Sequence, residues 1–150
     1  MTRNFARLIN IAAVALAGSV VLTAGGQANA ASQVVARVDI SRQRMVVTVD
    51  GRPAFEWKVS TAGKGYVTPT GSWKPTRMHK MWYSKKYDNA PMPHSVFFTG
   101  GYAIHATSAV KRLGSPASHG CVRLAPDHAS DFYQLVRVFG PSNTQIVIVE

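Results

Sequence analysis

The chain has 150 residues, of which 17 are basic and 7 acidic, and it contains a single cysteine. This length predicts one globular domain with a modest core, and one cysteine excludes an internal disulfide framework. The basic residues are spread along the chain without a dense block or a nucleic-acid-binding motif, so we expect no nucleic acid among the partners.

The first 30 residues have the features of a secretory signal peptide. Arg3 and Arg7 give a positive start, an apolar stretch runs from about residue 9 to 24, and residues 28–30 (Ala-Asn-Ala) form a small-x-small cleavage site. The apolar stretch is short and rich in Ala and Gly, which disfavours a membrane span, and an uncleaved anchor is the minor alternative. We therefore expect a mature domain over residues 31–150 in the periplasm or cell envelope, with no stable membrane span after signal cleavage.

The first part of the domain predicts three strands. Residues 34–40 alternate between apolar and charged side chains, which is the period of a half-buried strand. Residues 45–49 and 55–59 repeat that pattern on either side of Asp50 and Gly51, a pair that favours a hairpin turn.

The middle of the domain alternates between turn-rich and strand-like stretches. Residues 60–75 are dense in Gly, Pro and Thr and predict a loop followed by a short strand. Residues 78–93 are irregular, aromatic and basic, whereas residues 95–106 return to strand character around a Gly-Gly turn.

A long irregular segment in so small a domain is often functional. We expect residues 80–93 to form a lid or cleft wall through Trp82, Tyr83 and Tyr87. Alternatively, residues 80–93 form a surface loop whose aromatic side chains only pack against the domain, and the sequence does not favour one interpretation over the other.

The last part of the domain predicts one helix and a final strand. Pro126 suits the first helical position, apolar residues follow at helical spacing, and Gly140 and Pro141 end the pattern. Residues 144–149 (TQIVIV) predict a last buried strand. The expected architecture is mainly β, with one clear α-helix packed on the sheet.

The cysteine lies in the stretch SPASHGCVRL, residues 115–124. If residues 119–123 run extended, His119, Cys121 and Arg123 point to one face, because strand neighbours alternate. Cationic neighbours lower the pKa of a thiol and favour the nucleophilic thiolate. Gly120 removes a side chain where a substrate must come close, and the N–H groups of Gly120 and Cys121 could line an oxyanion pocket.

A cysteine nucleophile also needs a base. The chain offers five candidates: His79, His94, His105, His119 and His128. His105 follows an apolar strand that would hold it on rigid backbone, but spacing alone does not decide between His105 and His119. An inert buried thiol, an intermolecular disulfide and a metal site built from His105, His119 and Cys121 are the alternatives, although their spacing lacks any familiar zinc pattern.

These residues match the motifs of a known family. The segment GGYAIHA followed by SHGCVRL resembles the signature of the L,D-transpeptidase catalytic (YkuD) domain, in which an upstream His precedes a Ser/Thr-His-Gly-Cys block. The segments VTPTGSW and MPHSVFFTGGYAIHA are similar to other segments of that family. The resemblance extends from about residue 34 to 149, and several motifs in one order make it specific.

The resemblance implies an L,D-transpeptidase-like β-sandwich or barrel with the cysteine at the end of a cleft. It implies that Cys121 is the nucleophile and His105 the general acid and base, while Ser118, His119 and Gly120 shape the site and its oxyanion pocket. No metal or cofactor is implied.

Arg123 is a variant within this pattern. Many family members have Asn at this position, and Arg is similar to the branch found in Gram-negative envelopes. Arg123 could bind a substrate carboxylate. An ordinary structural ion pair is the alternative, and the sequence favours neither.

The resemblance also implies the reaction. Similar enzymes cleave the bond between meso-diaminopimelate and D-alanine in peptidoglycan tetrapeptide stems through a cysteine thioester, then transfer the acyl group to an amine and form 3-3 cross-links. Water as acceptor would give an L,D-carboxypeptidase or endopeptidase, and a lipoprotein lysine would give an anchoring enzyme. A wall-binding module without catalysis is disfavoured by the intact Cys and His residues.

Overall fold

The structure is a computed structural model that describes residues 33–150. The expected signal peptide and cleavage site therefore lie outside the described residues and stay predictions. The described chain folds into the following elements: β1 (Val34–Asp39), β2 (Arg44–Val49), β3 (Arg52–Lys58), β4 (Gly71–Trp73), β5 (Arg77–Ser84), β6 (Ala90–Thr99), β7 (Tyr102–Ala106), β8 (Val122–Leu124), α1 (Pro126–Phe139) and β9 (Thr144–Val149). Two 3₁₀ turns, Val110–Arg112 and Pro141–Asn143, complete it.

The strands form two sheets. One has the order β3-β2-β1-β9-β4 and the other the order β5-β6-β7-β8. Two pairings are parallel, β1 with β9 and β7 with β8, and the remaining pairs are antiparallel. This confirms the predicted mainly β fold with one helix.

The core lies between the sheets and the helix. Alternate residues of β1 and β9 are buried, as a strand with one inward face requires. Helix α1 buries Ala129, Phe132 and Val136 in the same cluster as residues from both sheets. The helix begins with Pro126 at its first turn and ends at Gly140, whose φ of 89° suits glycine. Within residues 33–150, no helix has the length and apolar character needed to cross a membrane.

The predicted β2–β3 hairpin is confirmed. Asp50 and Gly51 both have positive φ, 51° and 76°, which is the conformation that tight hairpin turns favour. A register shift at Val47 and Thr48 marks an irregularity in the pairing with β3.

The segment expected to be irregular, residues 78–93, is instead a β-hairpin formed by β5 and β6. Its two prolines conceal the strand pattern in the sequence. Pro91 and Pro93 pair with Tyr83 and Met81 of β5, but the pairing of β6 with β7 begins only at Val96. A proline is tolerated there because no β7 ladder requires its missing N–H.

Residues 119–123 do not form one extended strand, since only Val122–Leu124 are in β8. Gly120 has a φ of 128°, which departs from an ordinary strand conformation just before the cysteine.

Candidate active site

A cavity of about 680 Å³ brings the cysteine motif together with the end of β7 and the β5–β6 hairpin. Four of its lining residues belong to the chemistry expected from the sequence: His105, His119, Cys121 and Arg123. The other walls come from the hairpin (Ser84, Lys86, Tyr87, Asp88, Ala90, Pro91, Met92, Pro93), from Gly101 and from residues 106–109. His119, Cys121 and Arg123 all line this cavity, but the extended run from which their common face was expected does not form, because only Val122–Leu124 are in a strand.

His105 is held in the tautomer that a base needs. It lies on β7 and is only 6% exposed. Its Nδ1 is 2.7 Å from the carbonyl oxygen of Ala106, and because a carbonyl can only accept, Nδ1 must carry the proton. The lone pair of the neutral ring is therefore on Nε2. Burial lowers the pKa of His105 to about 4, opposed by the bond to Ala106 and assisted by the nearby Arg123 charge.

The Cys121 thiol lies just before β8 and is partly buried. Burial raises the pKa of the thiol, and this effect outweighs the opposing influences of a backbone hydrogen bond from Ala103 and of the Arg123 charge. The expectation that cationic neighbours lower the thiol pKa is therefore wrong in its net direction. Arg123 acts in the expected sense, but the loss of water around sulfur is the larger effect.

These two shifts together define the resting state of the pair. With the pKa of His105 lowered and that of Cys121 raised, imidazole and thiol are both neutral near neutral pH. A neutral imidazole whose Nε2 lone pair is free can accept a thiol proton as sulfur attacks a carbonyl, so this chemistry does not require a preformed thiolate.

Two hydrogen bonds of the Ser118 hydroxyl fix the backbone around Cys121. The Ser118 hydroxyl donates to the carbonyl oxygen of Cys121 over 2.6 Å and accepts from Gly120 N–H over 3.0 Å. Gly120 N–H was expected to help form an oxyanion pocket, but in the structure it donates to the Ser118 hydroxyl instead. Within residues 33–150, the N–H of Cys121 has no hydrogen-bond acceptor.

Only glycine fits at position 120. A Cβ there would lie 2.4 Å from the Tyr102 ring and 2.7 Å from the carbonyl oxygen of Val67, and the φ of 128° adds strain for any other residue. The close approach of the two segments that flank the cysteine motif therefore depends on Gly120.

His119 is exposed and is held between two tyrosines. Tyr87 stacks on its ring at 4.5 Å with an interplanar angle of 18°, and Tyr66 meets it edge-on at 4.5 Å. Tyr66 was not anticipated as a site residue, because it lies in a Gly- and Pro-rich loop with no periodic pattern. The two candidate bases therefore differ in their surroundings. The exposed His119 ring packs between two tyrosines, whereas His105 is buried on strand β7.

Arg123 presents a cation to the cavity. Its backbone pairs with Ser60, and its guanidinium donates to the carbonyl oxygen of Ala117 over 3.2 Å. Across the described residues it has no carboxylate partner, and the structural ion pair considered from the sequence is not found there.

The three aromatic candidates of the hairpin occupy different places. Tyr87 lines the cavity, whereas Trp82 and Tyr83 do not. Trp82 packs against the cluster of Met92, Phe97 and Ala103, on which Cys121 also packs, and Tyr83 is 54% exposed.

The remaining histidines lie away from the cavity. His79 packs on Trp82, His94 on Tyr133 and His128 on Trp57. In the described part of the chain, no three His, Cys, Asp or Glu side chains are grouped so that they could hold a metal ion.

Residues 33–148 match the model of a family described as the L,D-transpeptidase catalytic domain. No curated protein matches the chain. Among solved structures, the chain is similar to an L,D-transpeptidase from Mycobacterium smegmatis, with 22% identity and a TM-score of 0.71, over 79% of this chain and 59% of that one.

Two further solved structures show the same similarity. An L,D-transpeptidase from Stackebrandtia nassauensis is 27% identical with a TM-score of 0.69, over 79% of this chain and 56% of that one. An L,D-transpeptidase in complex with imipenem is 21% identical with a TM-score of 0.70, over 79% of this chain and 59% of that one. The chain therefore spans less than two thirds of the length of these relatives.

Proposed function

The chain belongs to the family of L,D-transpeptidase catalytic domains, and on this basis we propose that it is an exported cysteine acyltransferase that acts on peptidoglycan stem peptides. The observation that carries the proposal is the placement of Cys121 and His105 in one cavity, with His105 Nδ1 bound to Ala106 and Nε2 left as the base.

In the first half-reaction, Cys121 attacks the carbonyl of meso-diaminopimelate that precedes D-alanine. The thiol proton passes to His105 Nε2 as the carbon–sulfur bond forms, and the oxyanion is stabilised by a backbone N–H donor. His105 then gives its proton to the leaving amine of D-alanine, and a thioester remains on Cys121. The neutral resting state of both groups supports this concerted transfer.

In the second half-reaction, an amine of another stem attacks the thioester. His105 accepts the proton of that amine, the carbon–sulfur bond breaks, and the thiol of Cys121 is restored. The acceptor that we propose is the diaminopimelate amine of a second tetrapeptide, which gives a 3-3 cross-link and releases no further group.

Side chains that line the cavity would bind the stem-peptide substrate. Stem peptides carry free carboxylates, and two residues with cationic side chains, Arg123 and Lys86, line the cavity. We assign Arg123 a carboxylate-binding role, since no acidic side chain of the described residues neutralises it. Tyr87 forms the aromatic part of the wall, and Ser118, His119 and Gly120 shape the site around the nucleophile.

The proposed substrate also indicates where the protein acts. Peptidoglycan lies outside the cytoplasm, so a domain acting on it belongs in the periplasm or cell envelope, in agreement with the signal peptide expected in the first 30 residues. Assignment to a Gram-negative branch stays a prediction.

The test is to incubate the protein with purified disaccharide-tetrapeptide and to resolve the products by mass. The expected product is a cross-linked dimer that has lost one D-alanine, and Cys121→Ala is the inactive control. A tripeptide product without a dimer would identify water as the acceptor and support the carboxypeptidase alternative. Transfer only to an added lipoprotein lysine would support the anchoring alternative, and unchanged tetrapeptide in every mixture would refute the proposal.

A further inference from the structure

The loop between β3 and β4 is docked directly onto the cysteine motif. Gly63 N–H donates to the carbonyl oxygen of Ser118 over 2.9 Å, and the N–H groups of Ala117 and Ser118 both donate to the carbonyl oxygen of Thr61 over 2.9 Å. These bonds hold the residues that precede Cys121 against a second segment of the chain, residues 60–68.

Thr68 connects this loop to the residue that directly precedes Cys121. Its side chain is almost completely buried, at 4% exposed, and does not line the cavity. The hydroxyl accepts from Ala62 N–H over 2.9 Å and donates to the carbonyl oxygen of Gly120 over 2.8 Å. Both hydrogen-bonding functions of this one side chain are thus used on backbone groups, one of which adjoins Cys121.

The carbonyl of Gly120 and the N–H of Cys121 belong to the same peptide unit. That unit is trans, since the described residues contain no cis peptide bond, and in a trans peptide the C=O and N–H point in opposite directions. With the carbonyl directed at buried Thr68, the N–H of Cys121 is directed away from it. A hydrogen bond to the carbonyl also polarises the peptide and strengthens its N–H as a donor.

The backbone groups of the two residues that flank Cys121 are already engaged. Gly120 N–H is bound to Ser118, and Val122 is in β8, paired with Ile104 of β7. Within residues 33–150, Cys121 N–H remains without an acceptor, at the residue that carries the nucleophile.

We propose that Thr68 is a positioning residue that orients the Gly120–Cys121 peptide so that Cys121 N–H serves as the oxyanion donor. This inference rests on the proposed acyl transfer, because only a reaction through a tetrahedral oxyanion uses that donor. Thr68 does not touch the substrate and acts only through the peptide that it holds.

Two reagents separate this role from a general structural one. Imipenem acylates a cysteine through a tetrahedral oxyanion: the sulfur–carbon bond forms, the lactam carbon–nitrogen bond breaks, and the nitrogen takes the thiol proton. Iodoacetamide alkylates the same sulfur by displacing iodide from a saturated carbon, with no oxyanion. Both rates are measured on the full chain by intact mass.

Thr68→Val removes the hydroxyl while keeping the shape of the side chain. We expect its rate of imipenem acylation to fall at least about tenfold, toward the about 100-fold loss that follows removal of an oxyanion donor. Alkylation by iodoacetamide should stay within about twofold, because the thiol and His105 are unchanged. Thr68→Ser should restore acylation to within about threefold, and Thr70→Val, at an exposed threonine of the same loop, is the matched control.

The outcomes are distinguishable. If Thr68→Val is acylated as fast as the wild type, or if acylation and alkylation fall together, the positioning role is refuted. If imipenem fails to acylate the wild type while iodoacetamide alkylates it, the proposed function itself is refuted. Should Thr68→Val not fold, Thr68→Ala, which also lacks the hydroxyl, takes its place in the same comparison.

Discussion

At the scale of single residues, the site is governed by burial more than by nearby charge. The sequence places Arg123 two residues from Cys121 and so predicts a lowered thiol pKa, but the pKa is raised because partial burial removes some of the water around the sulfur. A sequence reveals which charges are close along a strand. It does not reveal how deeply the fold buries them, and that depth decides the net shift here.

The first prediction concerns Cys121, the proposed nucleophile. Cys121→Ala should abolish formation of cross-linked product, because no other described side chain in the cavity is a thiol. The sulfur is only partly buried, so the free energy of unfolding should change by no more than about 1 kcal/mol. Product formation is measured by mass and stability by urea unfolding. A folded Cys121→Ala variant with normal turnover would refute the mechanism.

The second prediction concerns the pH dependence of the thiol. Since burial raises the pKa of Cys121 above its usual value of 9.0, the rate of alkylation by iodoacetamide should still be increasing at pH 9. Acylation by imipenem should vary little between pH 6 and 8, because neutral His105 accepts the proton during attack. A plateau in alkylation reached below pH 7 would instead indicate a preformed thiolate.

At the scale of elements, periodicity located the strands and the helix but not the β5–β6 hairpin. Strand β1, the β2–β3 hairpin, α1 and β9 carry regular patterns and local turn or cap signals, and each forms where the pattern predicts. The hairpin carries two prolines and several lysines, so its strand character emerges only from pairing with its neighbours. Its aromatic residues then occupy three environments that composition does not predict: Trp82 packs on a buried cluster, Tyr87 lines the cavity and Tyr83 is exposed.

The third prediction compares two of these environments through two tyrosines of one hairpin. Tyr87→Ala should lower kcat/KM for the tetrapeptide about tenfold, because Tyr87 lines the cavity and stacks on His119. Tyr83→Ala is the matched control, since Tyr83 is exposed and outside the cavity, and it should change kcat/KM less than about twofold. Equal losses in both variants would mean that the hairpin acts through its stability rather than through Tyr87.

At the scale of the whole molecule, the site depends on pairings between distant parts of the chain. His105 and Cys121 line one cavity because β7 and β8 are parallel neighbours, with His105 level with Arg123. Strand β1 likewise pairs in parallel with β9 near the other end of the chain. Hydrophobic periodicity does not encode which distant strands pair, so spacing alone left His105 and His119 undecided as the base. The resemblance to a family supplied that choice.

The fourth prediction is that His105 makes the folded protein sensitive to acid. The usual pKa of 6.5 applies to the unfolded chain, whereas burial lowers the pKa of His105 to about 4 in the folded protein. Above pH 6.5 the residue is neutral in both states and adds no pH dependence. As the pH falls from 6.5 to 4, only the unfolded chain binds the proton, so the free energy of unfolding should fall by about 3 kcal/mol from this residue.

The measurement is urea unfolding of the wild type and of His105→Gln at several values of pH. The variant should lose less stability than the wild type between pH 6.5 and 4. His79→Gln, at a partly exposed histidine outside the cavity, controls for the removal of one histidine. Parallel curves for wild type and His105→Gln would show that His105 is not held neutral by burial.

The last prediction concerns how the whole cleft discriminates between inhibitors. Penicillins mimic the D-alanyl-D-alanine end of a stem, whereas a cleft shaped for an L-centre before D-alanine should accept that scaffold poorly. Family resemblance implies that carbapenems, with a smaller side chain beside the strained ring, acylate such cysteines more readily. Imipenem should therefore add its mass to the intact protein, and ampicillin should do so slowly or not at all. Cys121→Ala should gain no mass from either. Rapid labelling by both compounds would contradict the proposed selectivity, because a reactive thiol alone would then account for the adducts.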